Sequence, residues 1–306
     1  MKRILITGAA GFIGSHVCRA LIGKNEIIAS ISPYSDPWRL EEIENKIAIE
    51  KTDLVNVDSV RGLFIKHKPE IVVHLATHGV YSSQQNDTGR IVKDNYLMTL
   101  NLLECSKEFK VEKFINTGSV FEYGTQKKEV KEDDISLSDV INLYSAVKIA
   151  TTVLVCSYSD LLEVITLRPF TAYGPKEDES RLIRASIQRA LKGEPIRVVP
   201  GVVRDFIYIG DIASAYQQAI DCDTFSSGEI VNIGSGKKVS LRETAEVIRH
   251  AAKSKSEIIF DTSFRRRKES ACWANILKAE KILNWQPKHT LEQGIKATLD
   301  WVASKK

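Results

Sequence analysis

The chain has 306 residues, of which 43% are hydrophobic and 27% charged, a balance that excludes a disordered chain and allows one large core or two unequal domains. Its formal net charge of +4 is too small to indicate a nucleic-acid partner, although it weakly favours small anionic ligands. The five cysteines lie far apart without metal-ligand spacing and no apolar run approaches membrane-spanning length, so we expect a cytoplasmic protein with no disulfide, metal or membrane partner.

Short apolar runs alternate with segments of helical periodicity through the first half of the chain. In chain order, the predicted elements are the strand KRILITG, a helix over 12–23, the strands EIIASI and KIAIEK, a helix over 57–67, the strand EIVVHLA, a helix over 90–109, the strand KFINTGS, a helix over 140–160 and the strand LEVITLRP. This alternation predicts an α/β fold in which a doubly wound parallel sheet of the Rossmann type is covered by helices on both faces.

The pattern loosens beyond about Pro169, where glycine and proline recur. Further helices are predicted over 179–192, 211–221, 240–252 and 291–303. We expect residues 1–168 to form the sheet domain. Residues 169–306 are predicted to form a smaller lobe that is interleaved with that domain and lacks a clean linker.

Three glycines, Gly8, Gly11 and Gly14, follow the first predicted strand and open the first helix. Glycines in this context permit a tight turn and let the backbone approach a pyrophosphate, which the helix N-terminus stabilises. The alternative is a turn that only packs the helix on the strand. The position of the glycines at the head of the alternating pattern favours a dinucleotide site.

The second strand ends at Ile31 and Ser32, where NAD sites usually carry an acidic residue for the ribose 2′-hydroxyl. Without that carboxylate, a 2′-phosphate could lie beside Ser32 and pair with Arg39, so we expect NADP, with NAD as the alternative. Asp53, after the third strand, is predicted either to accept a hydrogen bond from the adenine amino group or to cap the following helix.

Tyr144 and Lys148 lie four positions apart in the predicted helix over 140–160 and therefore share one face. An ammonium near a phenol favours the phenolate and lowers the pKa of the phenol. The spacing therefore predicts a tyrosine acid/base with a lysine partner, although the same pair occurs by chance in amphipathic helices.

Several motifs in order resemble the extended short-chain dehydrogenase/reductase family, in its branch that modifies nucleotide-activated sugars. They are TGAAGFIG (7–14), DL (53–54), VHLA (73–76), Asn95 before TLNLLE, TGSVFEYG (117–124), Tyr144 with Lys148, LRPFTAYGP (167–175), RDFIYIGDIA (204–213) and KAEKILNWQP (278–287). The likeness runs nearly end to end, so it implies an enzyme with a Rossmann domain, a nucleotide-sugar lobe and a homodimer built on the helices of Asn95 and Tyr144.

Carried over by position, the resemblance implies a catalytic role for Ser119, Tyr144 and Lys148. The residues expected to bind the cofactor are Gly8, Gly11, Phe12, Ile13, Gly14, Ser32, Arg39, Asp53, Leu54, Leu75, Ala76, Asn95, Tyr144 and Lys148. The residues expected to bind the sugar nucleotide are Ser119, Thr171, Arg204 and Arg265, with Arg267 as the rival of Arg265. Thr171 stands where family members often have Asn.

Members of the family that remove water from carbons 5 and 6 carry an Asp-Glu pair just after the catalytic hydroxyl residue. This chain has Val120 and Phe121 there, and neither can move a proton, which argues against a 4,6-dehydratase. Glu122 is interpreted as a structural carboxylate, with a substrate contact as the alternative.

We therefore expect an NADPH-dependent reductase that transfers hydride to carbon 4 of a nucleotide-linked 4-keto-6-deoxy sugar. The first alternative is an NAD-dependent nucleotide-sugar 4-epimerase, in which hydride leaves and returns to the opposite face. The alternative from another class is a regulatory protein on the same fold that senses NADP without turnover.

Overall fold

The computed structural model describes residues 1–80, 86–262 and 271–305, and its first half alternates strands with helices as the sequence predicts. In chain order these elements are β1 (Arg3–Thr7), α1 (Phe12–Leu21), β2 (Glu26–Ile31), β3 (Ala48–Lys51), α2 (Val57–His67), β4 (Ile71–His74), α3 (Thr88–Glu108), β5 (Lys113–Thr117), β6 (Glu129–Val130), α4 (Leu143–Cys156) and β7 (Val164–Pro169). Among the described residues, no helix is both long and apolar enough to cross a membrane.

The second half of the chain adds shorter strands and five helices in its described part. They are β8 (Thr171–Tyr173), α5 (Leu182–Lys192), β9 (Ile196–Val198), β10 (Val203–Arg204), β11 (Phe206–Tyr208), α6 (Ile209–Asp221), β12 (Glu229–Ile233), β13 (Val239–Ser240), α7 (Leu241–Ala251), β14 (Ile258–Phe260), β15 (Trp273–Ala274), α8 (Leu277–Leu283) and α9 (Leu291–Ser304). Helices α5, α7 and α9 enclose a separate apolar cluster with β9.

Seven parallel strands form the central sheet, in the order β3-β2-β1-β4-β5-β7-β12 within the described residues. Alternate residues of β1 point to opposite faces, so Leu5 joins the apolar cluster under α2 and α3, whereas Ile4 and Ile6 join the one under α1 and α6. Both faces are therefore covered, which confirms the predicted doubly wound fold.

The strand order reverses at β1, which lies between β2 and β4. In open parallel sheets, the crevice at the carboxyl ends of the strands on either side of such a reversal is where ligands bind. The loops after β1, β4 and β5 all open at this edge. The sheet thereby brings the glycine loop, the segment after His74 and the segment after Thr117 together.

Residues beyond 168 also build the first domain. Strand β12 pairs with β7 and completes the central sheet, α6 packs on α1, and α8 packs on β12. The two halves of the chain are interleaved to this extent, while the boundary at 168 stays a prediction.

Candidate active site

The loop after β1 is shaped by glycine positions that cannot hold a side chain. Gly8 has φ +65°, and a Cβ there would lie 2.7 Å from the backbone nitrogen of Ala76. A Cβ on Gly14 would lie 2.3 Å from the carbonyl oxygen of Gly8, and the Gly11 amide donates to that same oxygen at 2.9 Å. The loop is therefore a tight turn with exposed backbone, which fits a pyrophosphate.

The first turn of α1 leaves its amides available to such an anion. Gly11 is the residue before the helix, and no side chain in the described part of the chain caps it. Phe12 and Ile13 are half-buried and pack their side chains on the core, so they offer backbone rather than side-chain contacts. The helix N-terminus thus fits the diphosphate of a dinucleotide.

A buried polar chain supports the loop from behind. The Thr7 hydroxyl accepts from the amides of Leu75 and Ala76 at 3.2 and 3.3 Å and contacts His74 Nδ1 at 2.8 Å. His74 Nε2 contacts the Thr99 hydroxyl at 3.1 Å, and burial lowers the pKa of His74 to about 3, so the ring is neutral. Leu75 and Ala76 therefore lie against the glycine loop through their backbone.

Ser32 and Arg39, which are predicted at the adenosine end, make contacts within the chain. Ser32 is exposed, and its hydroxyl accepts from the Tyr34 amide at 3.3 Å. Arg39 donates from Nε to the Lys176 carbonyl at 2.9 Å and from Nη1 to the Ala10 carbonyl at 3.3 Å. Its guanidinium is thus engaged with backbone carbonyls, which does not support the predicted pairing with a 2′-phosphate.

The prediction that Asp53 caps the following helix is wrong. Asn56 caps α2 by accepting from the amides of Asp58 and Ser59, whereas the Asp53 carboxylate accepts from the Val55 amide at 3.0 Å and is exposed. The alternative role of Asp53 at the adenine stays a prediction. Leu54 is buried in the cluster under α2.

Asn95 uses its whole side chain to hold the segment after β4. Its Oδ1 accepts from the Thr77 hydroxyl and the His78 amide, both at 2.9 Å, and its Nδ2 donates to the carbonyls of His78 and Ile91 at 2.9 and 2.7 Å. These four bonds satisfy the amide. The structure therefore shows Asn95 as a support for Thr77 and His78, and its predicted cofactor contact stays a prediction.

Tyr144, at the start of α4, lies next to the segments that follow β4 and β5. Burial raises the pKa of its phenol to about 12, while hydrogen bonds with Thr77 and Ser119 lower it in part. Ser119 is itself 8% exposed and caps the short turn Val120–Tyr123 by accepting from the Phe121 amide. Three hydroxyl groups, on Thr77, Ser119 and Tyr144, are thus collected at one point.

Lys148 lies one turn further along α4 and is also buried. Its Nζ donates to the Thr117 carbonyl at 2.6 Å, and burial lowers the pKa of the ammonium to about 8. The sequence-based expectation that Lys148 lowers the pKa of Tyr144 is not what the structure shows, since burial dominates and raises that pKa. The cation that lowers it is Arg181, next to α5.

Glu122 belongs to a fully buried ion pair. Its Oε2 accepts from Arg168 Nε at 2.9 Å and from the Thr152 hydroxyl at 3.0 Å, and its Oε1 accepts from the Ser119 amide at 2.7 Å. Both side chains of the pair are 0% exposed. Glu122 therefore fixes the backbone of Ser119 from below, which agrees with the interpretation of a structural carboxylate.

Two of the predicted sugar-nucleotide residues, Thr171 and Arg204, lie on short strands of the second half. Thr171, half-buried at the start of β8, donates its amide to the Asp205 carbonyl at 3.0 Å. Arg204 ends β10, and its Nη1 donates to the Val203 carbonyl at 2.8 Å. Arg265 and Arg267 lie outside the described residues.

Sequence reasoning missed Thr77 and Arg181. The sequence pattern could have indicated Thr77, because a polar residue just beyond the end of a parallel strand faces the ligand crevice. Arg181 stands in a loop whose path no local pattern reveals. The sheet thus brings Thr77, Ser119, Tyr144 and Lys148 together beside a glycine loop, an arrangement that defines an enzyme working with a nicotinamide dinucleotide.

Comparison with known proteins agrees with this class. Residues 4–234 match the NAD dependent epimerase/dehydratase family. The chain is 30% identical to the UDP-glucuronate 4-epimerase of Thermodesulfobacterium geofontis over 98% of its own length and 96% of that protein.

Solved structures show the same likeness. The UDP-glucose 4-epimerase of Thermotoga maritima, solved with UDP-glucose, is 26% identical with a TM-score of 0.87, over 99% of both chains. The UDP-glucuronic acid 4-epimerase of Bacillus cereus, in complex with UDP-glucuronic acid and NAD, is 27% identical with a TM-score of 0.87, over 99% of this chain and 100% of that one.

The chain belongs to the NAD dependent epimerase/dehydratase family. It is an enzyme of the extended short-chain dehydrogenase/reductase type, which confirms the resemblance seen in its sequence motifs.

Proposed function

We propose that the protein is an NAD-dependent epimerase that inverts carbon 4 of a UDP-linked sugar. The observation that carries the proposal is the buried Tyr144 phenol, hydrogen-bonded with Ser119 and Thr77 beside the glycine loop. The full-length similarity to 4-epimerases supports this alternative over the reductase that the sequence favoured.

In this proposal, side chains of the protein would transfer the proton of the sugar hydroxyl. When bound, NAD supplies a nicotinamide ring that reversibly accepts a hydride. Tyr144 would take the proton of the sugar hydroxyl and return it, while Ser119 donates a hydrogen bond to the same oxygen. Because burial raises the pKa of Tyr144 to about 12, the phenol needs a further positive charge nearby to act as a base at neutral pH.

Glu122 supports an epimerase over a dehydratase. Dehydration needs an additional acid/base pair, and Val120 and Phe121 lack ionisable groups. The Glu122 carboxylate uses both oxygens to accept hydrogen bonds from Arg168, Thr152 and the Ser119 amide. The Tyr144 phenol thus remains the acid/base for this proposal.

We favour NAD over the NADP expected from the sequence. A 2′-phosphate needs a cation directed at it, and the Arg39 guanidinium instead donates to the carbonyls of Ala10 and Lys176. The Ser32 hydroxyl is small enough to face a ribose 2′-hydroxyl. Thr171, Arg204 and Arg265 remain the proposed contacts to the sugar nucleotide.

A homodimer is part of the proposal. Helices α3 and α4 pack on each other and expose apolar side chains to solvent, with Val92 45%, Tyr96 39% and Val153 63% exposed. Apolar side chains gathered on a helix pair favour burial against a second copy.

The experiment is an epimerisation assay without added reductant. Purified protein is incubated with UDP-glucose or with UDP-glucuronate, and NMR follows the sugar C4 configuration. Interconversion of the two epimers with NAD retained on the protein supports the proposal. Stoichiometric consumption of NADPH with a 4-keto sugar, and no epimerisation, contradicts it and restores the reductase.

Tyr144→Phe separates catalysis from sensing. We expect turnover to fall by about 100-fold or more, because the phenolic proton is lost, while NAD affinity changes little. Turnover is measured by the same NMR assay and affinity by calorimetry. A variant that keeps full turnover contradicts the acid/base role. A protein without turnover in which Tyr144→Phe alters nothing fits the dinucleotide sensor.

A further inference from the structure

Arg39 joins two parts of the chain that handle different ligands in the proposed function. One edge of its guanidinium donates to the carbonyl of Ala10, which lies within the glycine loop. Nε donates to the carbonyl of Lys176, which lies in the segment between β8 and α5. Residues 174–181 make up this connection, which we call the 174–181 segment.

We call residues 1–168 the cofactor half and residues 169–306 the substrate half. Two further contacts attach the 174–181 segment to the cofactor half. His16 on α1 donates from Nε2 to the Pro175 carbonyl at 2.9 Å, and burial lowers the pKa of its ring to about 4, so the ring is neutral at pH 7. Lys176 pairs with Glu42 at 3.0 Å. The segment is thus fastened to α1 and to residues 38–42 at successive positions.

The far end of the 174–181 segment belongs to the substrate half. Arg184 on α5 donates to the Glu177 carbonyl, and the Arg181 amide donates to the Asp178 carbonyl at 3.1 Å. The segment follows directly on β8, which begins with Thr171, and carries Arg181, whose charge acts on Tyr144. A shift of the segment would therefore move groups proposed to meet the sugar nucleotide.

The backbone of the segment needs outside support to keep its shape. Lys176 has φ +66°, in the left-handed region that side-chain-bearing residues rarely adopt, and it is 6% exposed. Such a conformation costs about 1–3 kcal/mol and persists only where surrounding contacts hold it. Arg39 supplies one of those contacts at the strained residue itself.

We propose that Arg39 is a positioning residue that couples occupation of the glycine loop to order in the 174–181 segment, and so links cofactor binding to the substrate half. An anion drawn onto the amides at the start of α1 fixes the loop, and Ala10 is a loop residue. Arg39 transmits that fixation to Lys176 because one rigid planar group bonds both carbonyls. Only the activity readout below rests on the proposed epimerase function.

The test is hydrogen exchange on the full-length protein with and without saturating NAD, read in peptides that cover residues 8–14 and 174–181. In the natural protein we expect NAD to slow exchange in both, by about fivefold or more in the second. In Arg39→Met, the slowing at 8–14 stays and the slowing at 174–181 is lost. No sugar is needed, so failure of the proposed function leaves this result readable.

Arg19→Met is the matched control. Arg19 donates to the carbonyls of Ser15 and Arg39 and pairs with Glu42 at 3.5 Å, so Arg19→Met removes contacts among residues 15–42 while the direct bonds of Arg39, His16 and Glu42 to the 174–181 segment remain. NAD should still slow exchange at 174–181 in this variant. Slowing that survives in Arg39→Met, or that is absent from the natural protein, overturns the proposal.

A second variant covers the case in which Arg39→Met fails to fold. His16→Phe keeps a ring of similar size and removes the bond to the Pro175 carbonyl. Because Arg39 still bonds both carbonyls in this variant, NAD should still slow exchange at 174–181 and at 8–14, and loss of the slowing at 174–181 would assign the coupling to His16 and overturn the proposal. In turnover, Arg39→Lys, which retains donors, should raise the KM for the sugar nucleotide less than Arg39→Met, with kcat changed less than KM.

Discussion

Burial shifts the pKa values of Tyr144 and Lys148, both on α4, in opposite directions. It raises the pKa of Tyr144 to about 12 and lowers that of Lys148 to about 8, because both neutral forms are favoured away from water. The protein thus holds a protonated phenol and an ammonium that is easily discharged. Keeping Lys148 charged at neutral pH costs stability, which is the usual trade between stability and a working site.

Replacing Lys148 with methionine should expose that cost. The pKa of Lys148 falls from the usual 10.5 to about 8 on folding, so between these values the unfolded chain binds more protons and stability rises with pH. Below about pH 8 the penalty is complete. Lys148→Met should therefore raise the free energy of unfolding at pH 7 by up to about 3 kcal/mol, less the lost bond to Thr117, and abolish turnover.

The gain should shrink as pH rises from 8 to 10.5, since the lysine is then neutral in both states. Thermal unfolding at pH 7 and pH 10 measures the difference. A variant that is less stable than the natural protein at pH 7 would show that the bond to the Thr117 carbonyl outweighs the desolvated charge.

Substitutions at Glu122 test whether its buried carboxylate has a structural role. Glu122→Gln leaves the Arg168 guanidinium buried without a counter-charge, which should cost about 3–5 kcal/mol in urea unfolding. Replacing both partners, as Glu122→Gln with Arg168→Met, should recover much of that loss because no isolated charge remains. A single variant of normal stability but no turnover would instead assign Glu122 to the chemistry.

At the scale of elements, Gly14 in the glycine loop and Gly62 in α2 can be compared as a matched pair of glycine-to-alanine substitutions. Gly14→Ala would place a Cβ 2.3 Å from the Gly8 carbonyl, so the loop must move and NAD affinity should fall at least about tenfold in calorimetry. Gly62 lies inside α2 with nothing within 4 Å of its Cβ position. Gly62→Ala should raise stability by about 1 kcal/mol with NAD affinity unchanged. Equal affinities in both variants would remove the glycine loop from the cofactor site.

Local patterns predicted the elements well where periodicity was long. The helix over 57–67 agrees with α2, and the one over 140–160 is trimmed to Leu143–Cys156 because Asn142 caps it by accepting from the Ser145 amide. The seven-residue α8 was missed, since fewer than two turns give no clear period.

Long-range contacts explain what the sequence could not show. The spacing of Tyr144 and Lys148 could be read directly from the sequence, and Ser119 followed from the resemblance of its motif to the family. The partner of Arg39 is a backbone carbonyl 137 positions away, and that of Glu122 lies 46 positions away. Neither pairing leaves a local signal, so the phosphate role predicted for Arg39 rested on charge alone.

For the whole molecule, interleaving joins the two halves of the chain, because elements from beyond residue 168 pack into the fold of the first half. Strand β12 closes the central sheet and α6 covers α1, although both come from beyond residue 168. The short strands β8 and β11 pair in parallel beside them. A shift between halves must therefore deform the shared sheet or the connections such as the 174–181 segment.

The proposed homodimer gives the last prediction. A charge placed on the apolar face of α3 and α4 would have to be desolvated against the second copy, so Val153→Glu should dissociate the dimer. Ile65→Glu, on α2, is the matched control, because Ile65 is 57% exposed and Val153 63%. Light scattering at micromolar concentration should give twice the chain mass of 34.3 kDa for the natural protein and Ile65→Glu, and the single mass for Val153→Glu.

A natural protein of single mass would show that no dimer forms, and a Val153→Glu variant that remains dimeric would place the interface elsewhere. Because α4 also carries Tyr144, a monomer produced in this way should turn over more slowly while retaining NAD.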